Sequence, residues 1–162
     1  MKVKIELEPG AKMPTKAHEH DAGFDLYLHR SRKQEQLGLS YIYDTGVHVA
    51  IPEGYVGLVL PRSSISNQGL VCPVGVIDSG YTGTIKVILY TYEAEAERKR
   101  FGDWIDNINV YVKPLSLIYG LRVGDRIAQL VILPLPQIEL ELGDVSSVKT
   151  ARGDKGFGSS GV

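Results

Sequence analysis

The sequence predicts an all-β fold of short strands, of the sandwich, jelly-roll or barrel kind. β-formers are abundant, with 16 Val, 13 Ile and 9 Tyr, and they are interrupted by 18 Gly and 8 Pro. Apolar and polar residues alternate with a period of two in several short runs. Helical signals are weak by comparison.

The elements follow in chain order. Residues 1–8 alternate, with Val3, Ile5 and Leu7 on one face and Lys2, Lys4 and Glu6 on the other, as a half-buried strand does. Pro9-Gly10 ends it. Residues 11–21 are polar and read as a loop, and 24–28 as a second short strand. Residues 29–40 are polar and fit no element well. Strand character resumes over 41–49. Pro52-Glu53-Gly54 is a turn, since Pro presets φ and Gly accepts a positive one. Residues 55–60 are almost wholly apolar, as in a strand covered on both faces. Further strands are expected over 70–77, 84–91 and 126–133, the last stopped by Pro134 and Pro136. A late strand is expected where Ile138, Leu140 and Leu142 alternate with Glu139 and Glu141. The best helical stretch, 92–100, pairs Glu95 with Lys99 at i,i+4 but has no apolar stripe, so it reads as a solvated excursion.

The 162 residues fit one domain, with a 43% hydrophobic content sufficient for a core. The net charge of -1 argues against a nucleic-acid or membrane-surface binder, both of which rely on cationic excess. It leaves room for a small anion, which needs only a few local cations. The single cysteine, Cys72, allows no disulfide within the chain and suits a reducing, cytoplasmic setting. Residues 1–20 carry charges throughout and no apolar block, so no secretory signal is expected. No apolar run reaches membrane-span length.

Four clusters carry residues suited to chemistry. The stretch 152–161 (RGDKGFGSSG) is glycine-rich, with Arg152, Lys155, Phe157, Ser159 and Ser160. Backbone N–H groups, cations and hydroxyls suit phosphates, and the ring suits a base. A plain flexible terminus has the same composition. Pro61-Arg62-Ser63-Ser64 follows an apolar strand and makes a phosphate-sized donor set, or a capped turn. In 75–83 (GVIDSGYTG), Asp78 suits a general base that activates water, and equally an Asx-turn residue. In 124–130 (GDRIAQL), Gln129 lies inside an apolar strand, where its amide must bond a ligand or a neighbouring backbone group. His18 and His20 lack the further ligands of a zinc site. There is no Walker A motif, Rossmann fingerprint or nucleophile signature.

Together with Ala22-Gly23-Phe24-Asp25-Leu26, these clusters occur in one order, and that order resembles the five motifs of the homotrimeric dUTPase family. The match runs from about residue 14 onward: AGFDL, then PRSS preceded by IPEGYVGLVL, then GVIDSGYTG, GDRIAQL and RGDKGFGSSG. The resemblance implies a distorted jelly roll or β-barrel whose three subunits share three active sites. It implies one jelly-roll domain over 1–151 and a flexible arm over 152–162 that closes on the nucleotide. Asp78 falls on the catalytic aspartate, and Tyr81 on the tyrosine that packs against deoxyribose and excludes a 2′-hydroxyl. Val74, Gly75, Val76 and Ile77 fall on the hairpin whose backbone reads uracil. Arg62, Ser63, Ser64 and Gln129 fall on phosphate contacts. Arg152, Phe157, Gly158 and Ser159 fall on the arm, with the ring stacking on uracil. Asp25 falls on the aspartate near Mg²⁺, which the triphosphate itself mainly holds.

Three departures stand out. Ser64 stands where the family more often has Gly, and Lys155 likewise. Residues 92–120 form a long insertion between the third and fourth motifs, with an apolar half that includes Trp104, Ile105, Ile108 and Val110. Similar insertions occur in phage-encoded members, which fits a location in an infected bacterial host. The expected activity is hydrolysis of dUTP to dUMP and pyrophosphate. A dCTP deaminase of the same fold is the alternative; Ser64 favours it, whereas the VID-x-x-Y-x-G segment and the Phe-bearing tail oppose it. A nucleotide-gated interaction protein, binding a regulatory partner through 92–120, is the reading from another class.

Overall fold

A computed structural model of the chain describes residues 1–29, 35–37, 40–91, 120–150 and 153. The strands are β1 (Lys4–Leu7), β2 (Phe24–Tyr27), β3 (Glu35–Leu37), β4 (Ser40–Ala50), β5 (Tyr55–Leu60), β6 (Leu70–Val71), β7 (Gly75–Ile77), β8 (Thr84–Thr91) and β9 (Arg126–Pro134). One helical turn, α1 (Ser63–Ser66), follows β5, and a short 3₁₀ turn spans Val145–Ser147. Two sheets form. The five-stranded one runs β1-β4-β8-β6, with β3 also on β4, and the four-stranded one runs β2-β9-β5-β7. The recorded strand pairs in both are antiparallel.

The period-two pattern decides which side chains meet between the sheets. In β8, Ile85, Val87 and Leu89 are fully buried while Lys86 and Ile88 point outward. Tyr41, Tyr43, Val47 and Val49 of β4 join them, and Leu26, Val59, Ile77, Ile127 and Leu130 approach from the other sheet. Burial pushes the Tyr43 hydroxyl up to about 12, helped by neighbouring Tyr41, and the Cys72 thiol up to about 11. Cys72 is therefore a thiol at neutral pH and a poor nucleophile. Among the described residues no helix is long and apolar enough to cross a membrane.

The all-β expectation is met, and four local readings need correction. The stretch 70–77 is not one strand. Leu70–Val71 pairs with β8 and Gly75–Ile77 pairs with β5, so the chain changes sheets at Cys72-Pro73. Pro73 has no N–H for a ladder, which breaks the strand there. The alternating segment around Ile138, Leu140 and Leu142 is not a strand in this chain, and those side chains are 73%, 93% and 104% exposed. A strand needs a neighbour for its backbone bonds, and none lies beside it among the described residues. Conversely, the unassigned polar region contains β3, which pairs with the start of β4. Strand β5 is covered on one face by Gly57 and Val59, but its other face is only half-buried. The excursion expected over 92–100 lies outside the described residues.

A register shift in β4 between Asp44 and His48 marks a bulge. Thr45 holds it: its hydroxyl, fully buried, donates to the Ile85 carbonyl at 2.7 Å and accepts from Val47 N–H at 3.3 Å. Thr45→Val keeps the shape and strands both partners. It is expected to lower folding stability by about 1–3 kcal/mol, read as a lower denaturation midpoint.

Candidate active site

Two clefts hold most of the described residues singled out in the sequence. The first forms where β2, β9 and the β5–α1 junction meet. Asp25 on β2 lies opposite Gln129 on β9, and Leu60, the last residue of β5, lies opposite Gln129 on the other side. The register thus delivers Pro61 and Arg62 beside Asp25. The Arg62 Nε donates to Asp25 Oδ1 at 2.7 Å, and its Nη1 donates to Ser64 Oγ at 2.9 Å. A second guanidinium closes the other side, Arg126 Nη1 donating to Asp25 Oδ2 at 3.3 Å. The Asp25 carboxylate is 11% exposed and Arg62 20%, so their charge-assisted bond is well shielded from water, whereas Arg126, 49% exposed, reaches in from the surface.

Gln129 donates its Nε2 to the Pro61 carbonyl at 3.0 Å. That is the backbone reading of the amide, and the side chain also lines the cleft. Its oxygen rests against Gly23, where an added Cβ would lie 2.6 Å from Oε1. The cleft, of about 250 Å³, is lined by Ala17, Asp21, Ala22, Gly23, Asp25, Arg62, Ser63 and Gln129. The His18 N–H bonded to Asp21 Oδ2 at 2.9 Å holds the Asp21 carboxyl below its ordinary value. Arginine, hydroxyl and amide donors converge here as an anion requires.

The second cleft, of about 240 Å³, opens between β5, β7 and β8. It is lined by Val59, Gly75, Val76, Ile77, Asp78, Tyr81, Thr84 and Lys86. Asp78 follows β7 directly and is exposed. The turn after it is closed by Tyr81 N–H donating to the Asp78 carbonyl at 3.2 Å. The Tyr81 ring folds back over Gly83, and its hydroxyl donates to the Thr84 carbonyl at 3.1 Å. Val74 and Val76 are 59% and 60% exposed beside it. An apolar wall, an aromatic ring and a carboxylate are thus assembled without a nearby arginine among the lining residues.

No residue lines both clefts. The structure brings Asp25, Arg62, Ser63 and Gln129 together and places Gly75, Val76, Ile77, Asp78 and Tyr81 in a separate cleft. Ser64 engages Arg62 from outside the first cleft and borders a shallow groove with Arg126 and Leu121. Arg152, Phe157, Gly158 and Ser159 lie outside the described residues. Sequence reasoning missed Arg126, Thr84 and Lys86. Arg126 had a visible signal, a lone cation opening an otherwise apolar strand, but pairing it with Asp25 requires the β2–β9 register.

For Mg²⁺ the test is the Asp25 carboxylate, the more buried of the two acids that line this cleft. Both its oxygens already face arginines, and the described residues contain no cluster of three metal-ligating side chains. Asp25 therefore fits a place bordering a hydrated ion and does not fit a direct ligand.

Residues 10–97 and 102–161 match the dUTPase family model. The deoxyuridine 5'-triphosphate nucleotidohydrolase of Mycobacterium tuberculosis is 37% identical over 166 residues, spanning 97% of this chain and 92% of that protein. That of Mycobacterium avium is 38% identical over 160 residues, with the same coverage. Among solved structures, the Staphylococcus bacteriophage 80alpha dUTPase with dUPNHPP superposes with a TM-score of 0.73 at 32% identity, covering 99% of each chain. The phage phi11 dUTPase, described as showing a species-specific insert, gives a TM-score of 0.64 at 30% identity, over 91% of this chain and 100% of that one. A phi11 variant is described as coordinating a structural Mg(II) ion. On the family match, the identity over nearly the whole chain and the shared architecture, this chain belongs to the dUTPase family.

Proposed function

We propose that the chain hydrolyses dUTP to dUMP and pyrophosphate, and that it does so at sites built jointly by the subunits of a homotrimer. The observation that carries the shared site is the separation of the two clefts. One offers the Arg62 guanidinium and the Ser63 hydroxyl for a phosphate chain, the other a carboxylate and a ring for a nucleoside, and neither is complete. Joining the first cleft of one subunit to the second cleft of its neighbour supplies all the parts. Exposed Leu135, Ile138, Leu140, Leu142, Val145 and Val148 on the segment after β9 support association, since such a run of apolar side chains offers a surface for another chain.

In this reading the backbone of Val74–Ile77 reads the uracil edge and the Tyr81 ring backs the deoxyribose. Arg62, Ser63 and Ser64 hold the phosphates, with Arg62 aimed by Asp25 and Arg126. Gln129 keeps the Pro61-Arg62 junction in place. Asp78 takes a proton from water as its oxygen bonds to the α-phosphorus, and the bond from that phosphorus to the bridging oxygen breaks to release pyrophosphate. Mg²⁺, when bound on the triphosphate, neutralises phosphate charge. Arg152, Phe157, Gly158 and Ser159 are proposed to close over the nucleotide, excluding bulk water.

Pyrophosphate release across the four standard dNTPs and dUTP, with and without Mg²⁺, tests the reading. Release from dUTP alone, dependent on Mg²⁺, is the expected result. Ammonia from dCTP is the outcome that moves the assignment to the deaminase, whose sequence signal was Ser64. The insertion 92–120 lies almost wholly outside the described residues. Its proposed role as a partner surface is tested by deletion: retained turnover with loss of a captured partner supports it.

The tight approach of Gly23 to Gln129 gives a further expectation. Gly23→Ala would push the amide off the Pro61 carbonyl and misplace Arg62. A rise in KM for dUTP of about tenfold, with an unchanged melting temperature, is expected from steady-state kinetics.

A further inference from the structure

We propose that His48 is a positioning residue for the Tyr81 ring, and so a determinant of the choice between deoxyribose and ribose; this rests on the reading that Tyr81 backs the sugar. The turn from Asp78 to Gly83 projects from the fold, and Asp78 to Thr82 are all exposed. Its internal bonds are those from Tyr81 N–H to the Asp78 carbonyl and from the Tyr81 hydroxyl to the Thr84 carbonyl. Among the described residues, His48 is the one side chain from outside the turn that bonds its backbone. Its Nδ1 lies 2.8 Å from the Thr82 carbonyl, next to Tyr81 in the chain. A carbonyl has no proton to give, so Nδ1 carries one and donates it.

The other side of the His48 ring faces Thr84 and Glu8. Its Nε2 lies 3.5 Å from the Thr84 hydroxyl and 3.7 Å from Glu8 Oε1. The Thr84 hydroxyl also donates to Glu8 Oε1 at 3.2 Å. Glu8 is itself fixed, its N–H donating to the Gly46 carbonyl at 2.8 Å and its second oxygen facing buried His29 Nε2 at 3.5 Å. The β4 bulge brings His48 opposite both Glu6 on β1 and Thr84 on β8. Thr84 lines the cleft of Asp78 and Tyr81. A path of direct contacts therefore runs from Glu8 through His48 to the turn that carries the ring. Glu8 and His48 are not among the residues lining that cleft, so their effect is on where the ring stands, and ring position is what a 2′-hydroxyl is measured against.

The test compares kcat/KM for dUTP with kcat/KM for UTP in three variants of the intact protein. The amide nitrogen of Asn falls near the place of Nδ1, and that of Gln near the place of Nε2. His48→Ala and His48→Gln are expected to lower the dUTP:UTP ratio about fivefold, the loss of one hydrogen bond, with kcat for dUTP changed less than about twofold. His48→Asn is expected to restore the ratio. A purely structural role predicts that all three variants change stability and leave the ratio alone, and that result overturns the proposal. So does His48→Asn behaving as His48→Ala. Should His48→Ala fail to fold, the Gln and Asn variants carry the same comparison. Tyr81→Ala separates the two readings. If it collapses the ratio and His48→Ala does not, the inference about His48 falls and the site stands. If neither changes it, the reading of Tyr81 falls and takes this one with it.

Discussion

Asp78→Asn is expected to bind dUTP with near-normal affinity and to turn it over about a thousandfold more slowly. The two family aspartates face opposite environments. Asp25 is 11% exposed at its side chain and bonded by two guanidinium groups, so each oxygen already accepts a charge-assisted bond and its charge is balanced. Asp78 is exposed at the end of β7, and no described side chain pairs with its carboxylate. Only the second is free to accept a proton from water. Asn has nearly the same shape and can still lie beside a phosphate, but it has no basicity. The substitution therefore separates holding from reacting. Single-turnover kinetics with a parallel binding titration reads both, and near-normal turnover would refute the role given to Asp78.

The same contrast shows what the sequence made legible. Strands β5 and β8 are readable to the residue, because each opens after a glycine-bearing turn and is dense in β-formers, although Ile88 interrupts the alternation of β8 and hides which face is buried. Asp25, Arg62, Gln129, Asp78 and Tyr81 were legible as chemistry through motif order. Their division into two clefts was not, because it depends on which strands pair. Asp25 meets Arg62 only because β9 lies between β2 and β5. The stretch 70–77 misled because apolar character survives a change of sheet, and only Pro73 marked the break. The alternation of Ile138, Leu140 and Leu142 is a strand's pattern without a strand's partner among the described residues. Periodicity reports which face seeks burial and is silent on whose surface provides it. His48 was passed over because a single imidazole in a strand has no pattern, and its meaning comes from the bulge that sets it against Thr82.

Two inactive variants are expected to restore activity to each other. Arg62→Gln keeps a donor for Asp25, and Arg126 still holds the other carboxylate oxygen, so the first cleft keeps its shape while losing the cation that binds phosphate. Asp78→Asn leaves the second cleft intact without its base. If each working site joins Arg62 of one subunit to Asp78 of another, random co-assembly of equal amounts makes about a quarter of the sites intact at both positions, one half multiplied by one half. If both clefts of one chain served the same substrate, every site in the mixture would carry one defect. Denaturing the two variants together and refolding them is expected to give about a quarter of wild-type pyrophosphate release, whereas the variants refolded separately and then combined stay inactive until subunits exchange. Mixed assemblies identified by mass that remain inactive would place the whole reaction within a single chain. The predicted fraction depends only on counting, not on any contact energy, so the result decides directly whether the separation of the clefts is the architecture of the enzyme.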